Sequence, residues 1–126
     1  MDNLRKYIAT ITDFSEESRK VLCNCLTEVE FQKNETLLKE GQICHSIFFI
    51  SYGLCKSYYN LDGKEINTAF YFENDFATNI KSLTTSSTSE YTIKAYEKTK
   101  AVKLDKTKLL EAYSQSHQIE TTLLLF

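Results

Sequence analysis

From Glu28 the apolar residues change to a period of two, with one short apolar run at Ile47 to Ile50, and three glycines fall between the pieces. A chain patterned this way must build short strands whose side chains alternate between a core and the opposite face. The pieces are Val29-Glu30-Phe31-Gln32, Glu35 to Lys39, Ile47 to Ile50, Leu54 to Asn60, Glu65 to Phe72, Tyr91 to Tyr96 and Ala101 to Leu104. In the sixth, Tyr91, Ile93 and Ala95 fall on one face. Proline is absent, so Gly41, Gly53 and Gly63, each between two such runs, carry the turn signal. Asp62-Gly63 is the sharpest of them, a dipeptide favoured in tight hairpins. About seven short strands joined by turns predict a sandwich, jelly roll or barrel.

Helices are expected on both flanks. Leu4, Tyr7, Ile8 and Ile11 recur at helical spacing, then Ser15 caps a second helix with Glu16 and Glu17 in its first turn. Val21, Leu22, Cys25 and Leu26 give that helix its apolar stripe, so helices are placed at about residues 3–26 and a barrel at 28–104. Asp105 caps a last helical region at 106–126: Leu109, Leu110 and Tyr113 form one helix, and Ile119, Leu123 and Phe126 begin another from His117. That stripe ends on Leu-Leu-Leu-Phe without a glycine cap or basic last turn, the pattern of a chain cut inside a longer element.

With 126 residues the chain makes one domain over 1–126, large enough to bury a core without disulfide or metal staples. Its 17 acidic and 15 basic residues leave a formal charge of −2, which offers nucleic acid no broad basic field. No apolar stretch is long enough to span a membrane, and Asp2, Arg5 and Lys6 interrupt the place of a signal's apolar region. A cytoplasmic protein with no membrane contact is expected. Cys23, Cys25, Cys44 and Cys55 sit in apolar surroundings and read as buried free thiols. Cys23 and Cys25, two apart on a helix, point to opposite sides and cannot share a metal; His45 and His117 are the only histidines, so no metal site is predicted.

The catalytic patterns are missing: no Gly-rich phosphate loop, no Gly-x-Ser-x-Gly, no His-Glu-x-x-His. A barrel metalloenzyme needs two or three converging histidines, which this chain lacks, so no enzyme activity is expected. The informative stretch is Glu73 to Glu90, ENDFATNIKSLTTSSTSE, a polar insertion between two strands. Ile80, Leu83 and Phe76 are placed to anchor a short helix in it. Hydroxyls and backbone donors at a helix start suit an anion, yet Lys81 is the sole cation there, beside Glu73, Asp75 and Glu90. Asp75, Phe76, Thr78 and Asn79 are the candidate cradle for a small ligand, with Ser87, Ser89 and Tyr91 facing it.

Leu37-Leu38-Lys39-Glu40-Gly41, then Ile47-Phe48-Phe49-Ile50-Ser51-x-Gly53, then Tyr58-Tyr59-Asn60-Leu61-Asp62-Gly63-Lys64-Glu65, following helices, resembles the effector domain of Crp/Fnr-type bacterial transcription regulators. The resemblance covers nearly the whole chain and implies a mainly β fold with flanking helices, a double-stranded β-helix or jelly roll of the cyclic-nucleotide-binding kind. It also implies a homodimer through the C-terminal helix, DNA contact only through a helix-turn-helix domain beyond Phe126, and RNA polymerase as a partner of the full-length regulator.

Within that resemblance the phosphate cassette departs from the family's pattern. The Gly-Glu pair that holds the ribose falls on Thr78-Asn79, and the Arg that neutralises the cyclic phosphate falls on or near Ser89. Residues 78–90 contain no Arg, so a partly buried phosphate would lack charge compensation and high-affinity cyclic AMP binding is not expected. The clustered N-terminal cysteines of the iron–sulfur branch are also missing. The expectation is an effector-sensing domain of a transcription regulator; the alternatives are a ligand-independent dimerisation or docking module and a cupin-like enzyme.

Overall fold

The structure, a computed structural model, describes Lys20 and residues 24–115. The first predicted helix, the Ser15 cap, Glu16-Glu17, Cys23 and the region from His117 lie outside the described residues. Eight strands follow the chain: β1 (Leu26–Phe31), β2 (Thr36–Leu38), β3 (Ser46–Tyr52), β4 (Cys55–Leu61), β5 (Lys64–Tyr71), β6 (Phe76–Ala77), β7 (Thr92–Ala95) and β8 (Thr99–Asp105). Two helices are described, α1 (Ile80–Thr85) between β6 and β7, and α2 (Lys106–Gln115) after β8.

The strands form two antiparallel four-stranded sheets, β1-β8-β3-β6 and β2-β7-β4-β5, packed as a jelly roll. Alternation builds the core as expected. Phe48, Ile50, Cys55, Ile93, Ala95 and Ala101 are buried between the sheets. Phe49, fully buried on the other face of β3, packs edge-on against Phe76 at 5.1 Å. A fully buried Phe side chain stabilises the fold by roughly 1.5–3 kcal/mol. Asp62 (φ 51) and Gly63 (φ 82) both adopt left-handed backbone, and Leu61 pairs with Lys64 around them, the two-residue turn that matches strand twist.

Two expectations are corrected. Leu26 belongs to a strand, not to the apolar stripe of a helix, because it pairs with Leu104 in an antiparallel register running to Phe31↔Thr99. Asn24 and Cys25 form the turn before it. Phe76 lies in a strand that alternation was too short to reveal, and Ile80 is 57% exposed, so of the three predicted anchors of α1 only Leu83 is buried. Downstream, Asp105 caps α2 as expected, its Oδ1 accepting from the Thr107 and Lys108 N–H groups at 3.0 and 3.3 Å. Leu109 is buried and Leu110 exposed. Cys25, Cys44 and Cys55 are buried and unbridged. Burial pushes the Cys55 thiol above its ordinary pKa, partly offset by a hydrogen bond with Thr99. His45 is exposed, and no trio of His, Cys, Asp or Glu among the described residues is arranged to hold a metal.

Candidate functional site

The polar stretch between the strands folds as β6, α1 and the approach to β7. β6 hangs on β3 through Phe48↔Ala77 and Phe49↔Phe76. Asn79 then turns strand into helix. Its backbone is extended (φ −112, ψ 98), and its side-chain oxygen accepts from the Ser82 N–H at 3.1 Å, which satisfies one orphan donor of the first turn. α1 stops at Ser86, held in left-handed backbone (φ 58) with its N–H donated to the Ser82 carbonyl at 2.9 Å.

Six residues make no stable helix alone, so tertiary contacts must hold this one. Ser82, fully buried, accepts from the Cys44 N–H at 2.8 Å and donates to the Ser87 carbonyl at 2.6 Å. Lys106 Nζ donates to the Leu83 carbonyl. The return limb is stitched to the loop before β3 by Gly41 N–H to the Ser89 carbonyl at 2.8 Å and Ser89 N–H to the Gln42 carbonyl at 2.7 Å.

A closed hydrogen-bond chain crosses the segment. Ser82 N–H can only donate, so the Asn79 amide oxygen faces it and the amide nitrogen donates to Ser89 Oγ at 2.9 Å. Ser89 Oγ passes its own proton to the Tyr91 carbonyl at 2.7 Å. The Tyr91 hydroxyl reaches across to the Thr78 carbonyl at 3.1 Å, and Thr78 Oγ1 donates to the Ser46 carbonyl at 2.8 Å. Asn79 and Ser89 are each 2% exposed. Burial pushes the Tyr91 phenol well above its ordinary pKa, with Tyr71 and the Glu90 carboxylate adding to the effect. Among the described residues no buried side-chain nitrogen or oxygen lacks a hydrogen-bond partner. The buried side-chain polar atoms of the segment are thus already partnered within the protein.

Of the residues singled out in the sequence, Thr78, Asn79, Ser89 and Tyr91 come together in this chain. Ser87 joins through its carbonyl and through a hydroxyl contact with Thr85 at 2.8 Å. Asp75 is exposed, its carboxylate accepting from the Phe72 N–H at 2.8 Å, and Phe76 packs on Phe49; both set the strand rather than the network. Lys81 is exposed. Ser82 and Cys44, which complete the network, were missed by sequence reasoning because their partners lie far along the chain. A groove of about 350 Å³ over Glu28, Val29, Glu30, Ser51, Lys100 and Ala101 includes none of these residues.

Comparison with known proteins agrees with this architecture. Residues 28–116 match the family model described as the cyclic nucleotide-binding domain. No curated protein matches the sequence. Among solved structures, a cyclic nucleotide-binding domain from Methylobacillus flagellatus KT superposes with a TM-score of 0.84 at 16% identity, covering 98% of this chain and 71% of that one. The N-terminal domain of a transcriptional regulator from Streptomyces coelicolor A3(2) gives 0.75 at 21% identity over 88% and 79%. The catabolite activator protein of Thermus thermophilus gives 0.74 at 13% identity over 91% of this chain and 54% of its own, so the chain spans about half of that protein's length. At these identities the likeness is one of fold. With the family match running through both sheets and the segment between β6 and β7, the chain belongs to the cyclic nucleotide-binding domain family.

Proposed function

We propose that the chain is the effector-sensing domain of a Crp/Fnr-like transcription regulator, non-catalytic, whose phosphate cassette no longer holds a cyclic nucleotide tightly. The observation that carries the reading is the bond from Asn79 Nδ2 to Ser89 Oγ. By the resemblance Asn79 falls on the family's ribose-binding glutamate and Ser89 on or near its phosphate-binding arginine, and here the two side chains satisfy each other. Each charge-assisted bond a ligand forgoes costs about 1.5–3 kcal/mol, or roughly 10- to 150-fold in affinity. Thr78, Asn79, Ser87, Ser89 and Tyr91 form the cradle for whatever effector the domain senses, with Asp75 and Phe76 fixing the strand that enters it. The Streptomyces regulator domain and the Thermus activator support the regulatory setting. In that setting residues 1–126 are one cytoplasmic sensing domain that dimerises through its C-terminal helix. DNA contact, and contact with RNA polymerase, belong to the full-length regulator.

Calorimetric titration with cyclic AMP and cyclic GMP tests the reading. No heat and no thermal stabilisation are expected, whereas micromolar or tighter binding would overturn it. The fully satisfied network favours a second reading, a docking module whose output needs no effector. A metabolite mixture that raises the melting temperature selects the sensor; a flat response selects the module.

A further inference from the structure

The second sheet carries another constellation, away from the cassette network. Lys56 on β4 and Lys94 on β7 are direct cross-strand partners, an arrangement that like charges ordinarily disfavour. They share one carboxylate: Glu65 on β5 places Oε2 3.5 Å from Lys56 Nζ and Oε1 3.6 Å from Lys94 Nζ. The Tyr58 ring lies 5.5 and 5.0 Å from the two ammonium groups, and the Tyr96 ring 5.5 Å from Lys56. Rings and stems cover the lysines so well that their side chains are only 10% and 18% exposed. Both ion pairs are longer than a charge-assisted hydrogen bond of about 2.7–2.9 Å, so the cations are gathered and ordered without being saturated. Two ammonium groups against one carboxylate leave a positive charge. Beside them is an apolar shelf: Phe70, the register partner of Lys56, meets Tyr96 edge-on at 6.2 Å, and Phe72 follows two residues on. Phe70, Phe72 and Tyr96 are 44%, 59% and 49% exposed.

We propose that this face is a docking surface for a protein partner's acidic segment, with one carboxylate seated between Lys56 and Lys94 and an adjoining apolar side chain on Phe70, Tyr96 and Phe72. The charge decides the class of partner. Nucleic acid binding neutralises many phosphates, but this patch offers one surplus charge on a chain whose net charge is −2. A single carboxylate flanked by apolar groups matches both halves of the surface. Because the lysine stems are already packed against the rings, the lysines lose little further rotamer freedom on binding. Glu65 is the built-in competitor for the seat.

The test is fluorescence anisotropy of the chain with a short fluorescein-labelled peptide, Glu-Leu-Phe-Glu flanked by serines. Combining Lys56→Met with Lys94→Met is expected to weaken binding about tenfold or more, the loss of one charge-assisted contact. Glu65→Gln strengthens it several-fold, an opposite sign that a purely structural ion cluster would not produce. Phe70→Ser with Phe72→Ser weakens it through the shelf alone, and Lys100→Met on the first sheet changes nothing. Melting curves confirm that each variant is folded. No binding at millimolar peptide, an unchanged affinity in the double-lysine variant, weaker binding with Glu65→Gln, or preferential capture of a DNA duplex by the same lysines would each overturn the proposal.

Discussion

Replacing Asn79 with Asp changes one NH2 group to an oxygen and almost no volume, so it probes the closed network directly. The cap survives, because an oxygen still accepts from Ser82 N–H. The second oxygen, however, now stands where the amide nitrogen donated to Ser89 Oγ, and Ser89 has already committed its proton to the Tyr91 carbonyl. One hydrogen bond worth about 1 kcal/mol is lost, and two acceptors left facing each other in a buried site cost about 1–3 kcal/mol more. The helix N-terminus returns about 0.5 kcal/mol to the carboxylate, leaving a net loss of about 1.5–3.5 kcal/mol at neutral pH. The loss depends on pH in a definite direction. Burial raises the new carboxyl's folded pKa above its unfolded value of about 3.9, so folding favours the protonated form. Below that value the protonated acid donates to Ser89 in place of the amide and the penalty is smallest. It grows by about 1.4 kcal/mol per pH unit as pH rises above the unfolded value and levels off beyond the folded one. The chain has no tryptophan, so urea unfolding is followed by far-ultraviolet circular dichroism at acid and neutral pH. A loss of this size lowers the urea midpoint by about 1–2 M. Asn79→Ala, which cannot titrate, gives a loss without that pH dependence. If Asn79→Asp is as stable as the parent at neutral pH, water reaches the amide, the network is not closed, and the argument against a cyclic nucleotide loses its footing.

Other outcomes follow from the same geometry. Tyr91→Phe removes the hydroxyl bond to Thr78 and costs about 1 kcal/mol at neutral pH. Because the folded Tyr91 pKa is raised, its contribution is present below the unfolded value of about 10 and is lost as pH climbs toward the folded value. By urea unfolding, the parent's advantage over the variant should therefore shrink as pH rises above about 10 and then reverse, and parallel curves would refute this. Gly53→Ala puts a Cβ against the Lys98 carbonyl oxygen, with Thr99 Oγ1 at 2.7 Å and Thr99 Cα at 2.8 Å, on a backbone at φ 104. Left-handed strain and a forced shift of β8 together cost about 3 kcal/mol or more, read as a lowered urea midpoint. Gly41→Ala and Gly63→Ala meet no neighbouring atom and lose only the backbone term, so equal losses at all three sites would contradict the close-approach account.

Local features were legible in the sequence because local physics produces them. The two-residue alternation of Tyr91, Ile93 and Ala95 follows from the pleat, and the Asp62-Gly63 hairpin from the cost of positive φ at most larger residues. Asp105 caps α2 through donors two and three residues ahead, within reach whatever the rest of the chain does. Tertiary structure decided what depended on register and packing. Leu26 could continue a helix or start a strand until Leu104 came to lie beside it. β6, two residues long, has no period to read and exists because β3 offers it an edge. Asn79 and Ser89, two small polar residues ten apart, are ordinary loop composition in the sequence. They became a self-satisfied pair because α1 and the return limb to β7 bring them within 2.9 Å in a place water does not reach, where a polar group must find a partner or lose its share of stability.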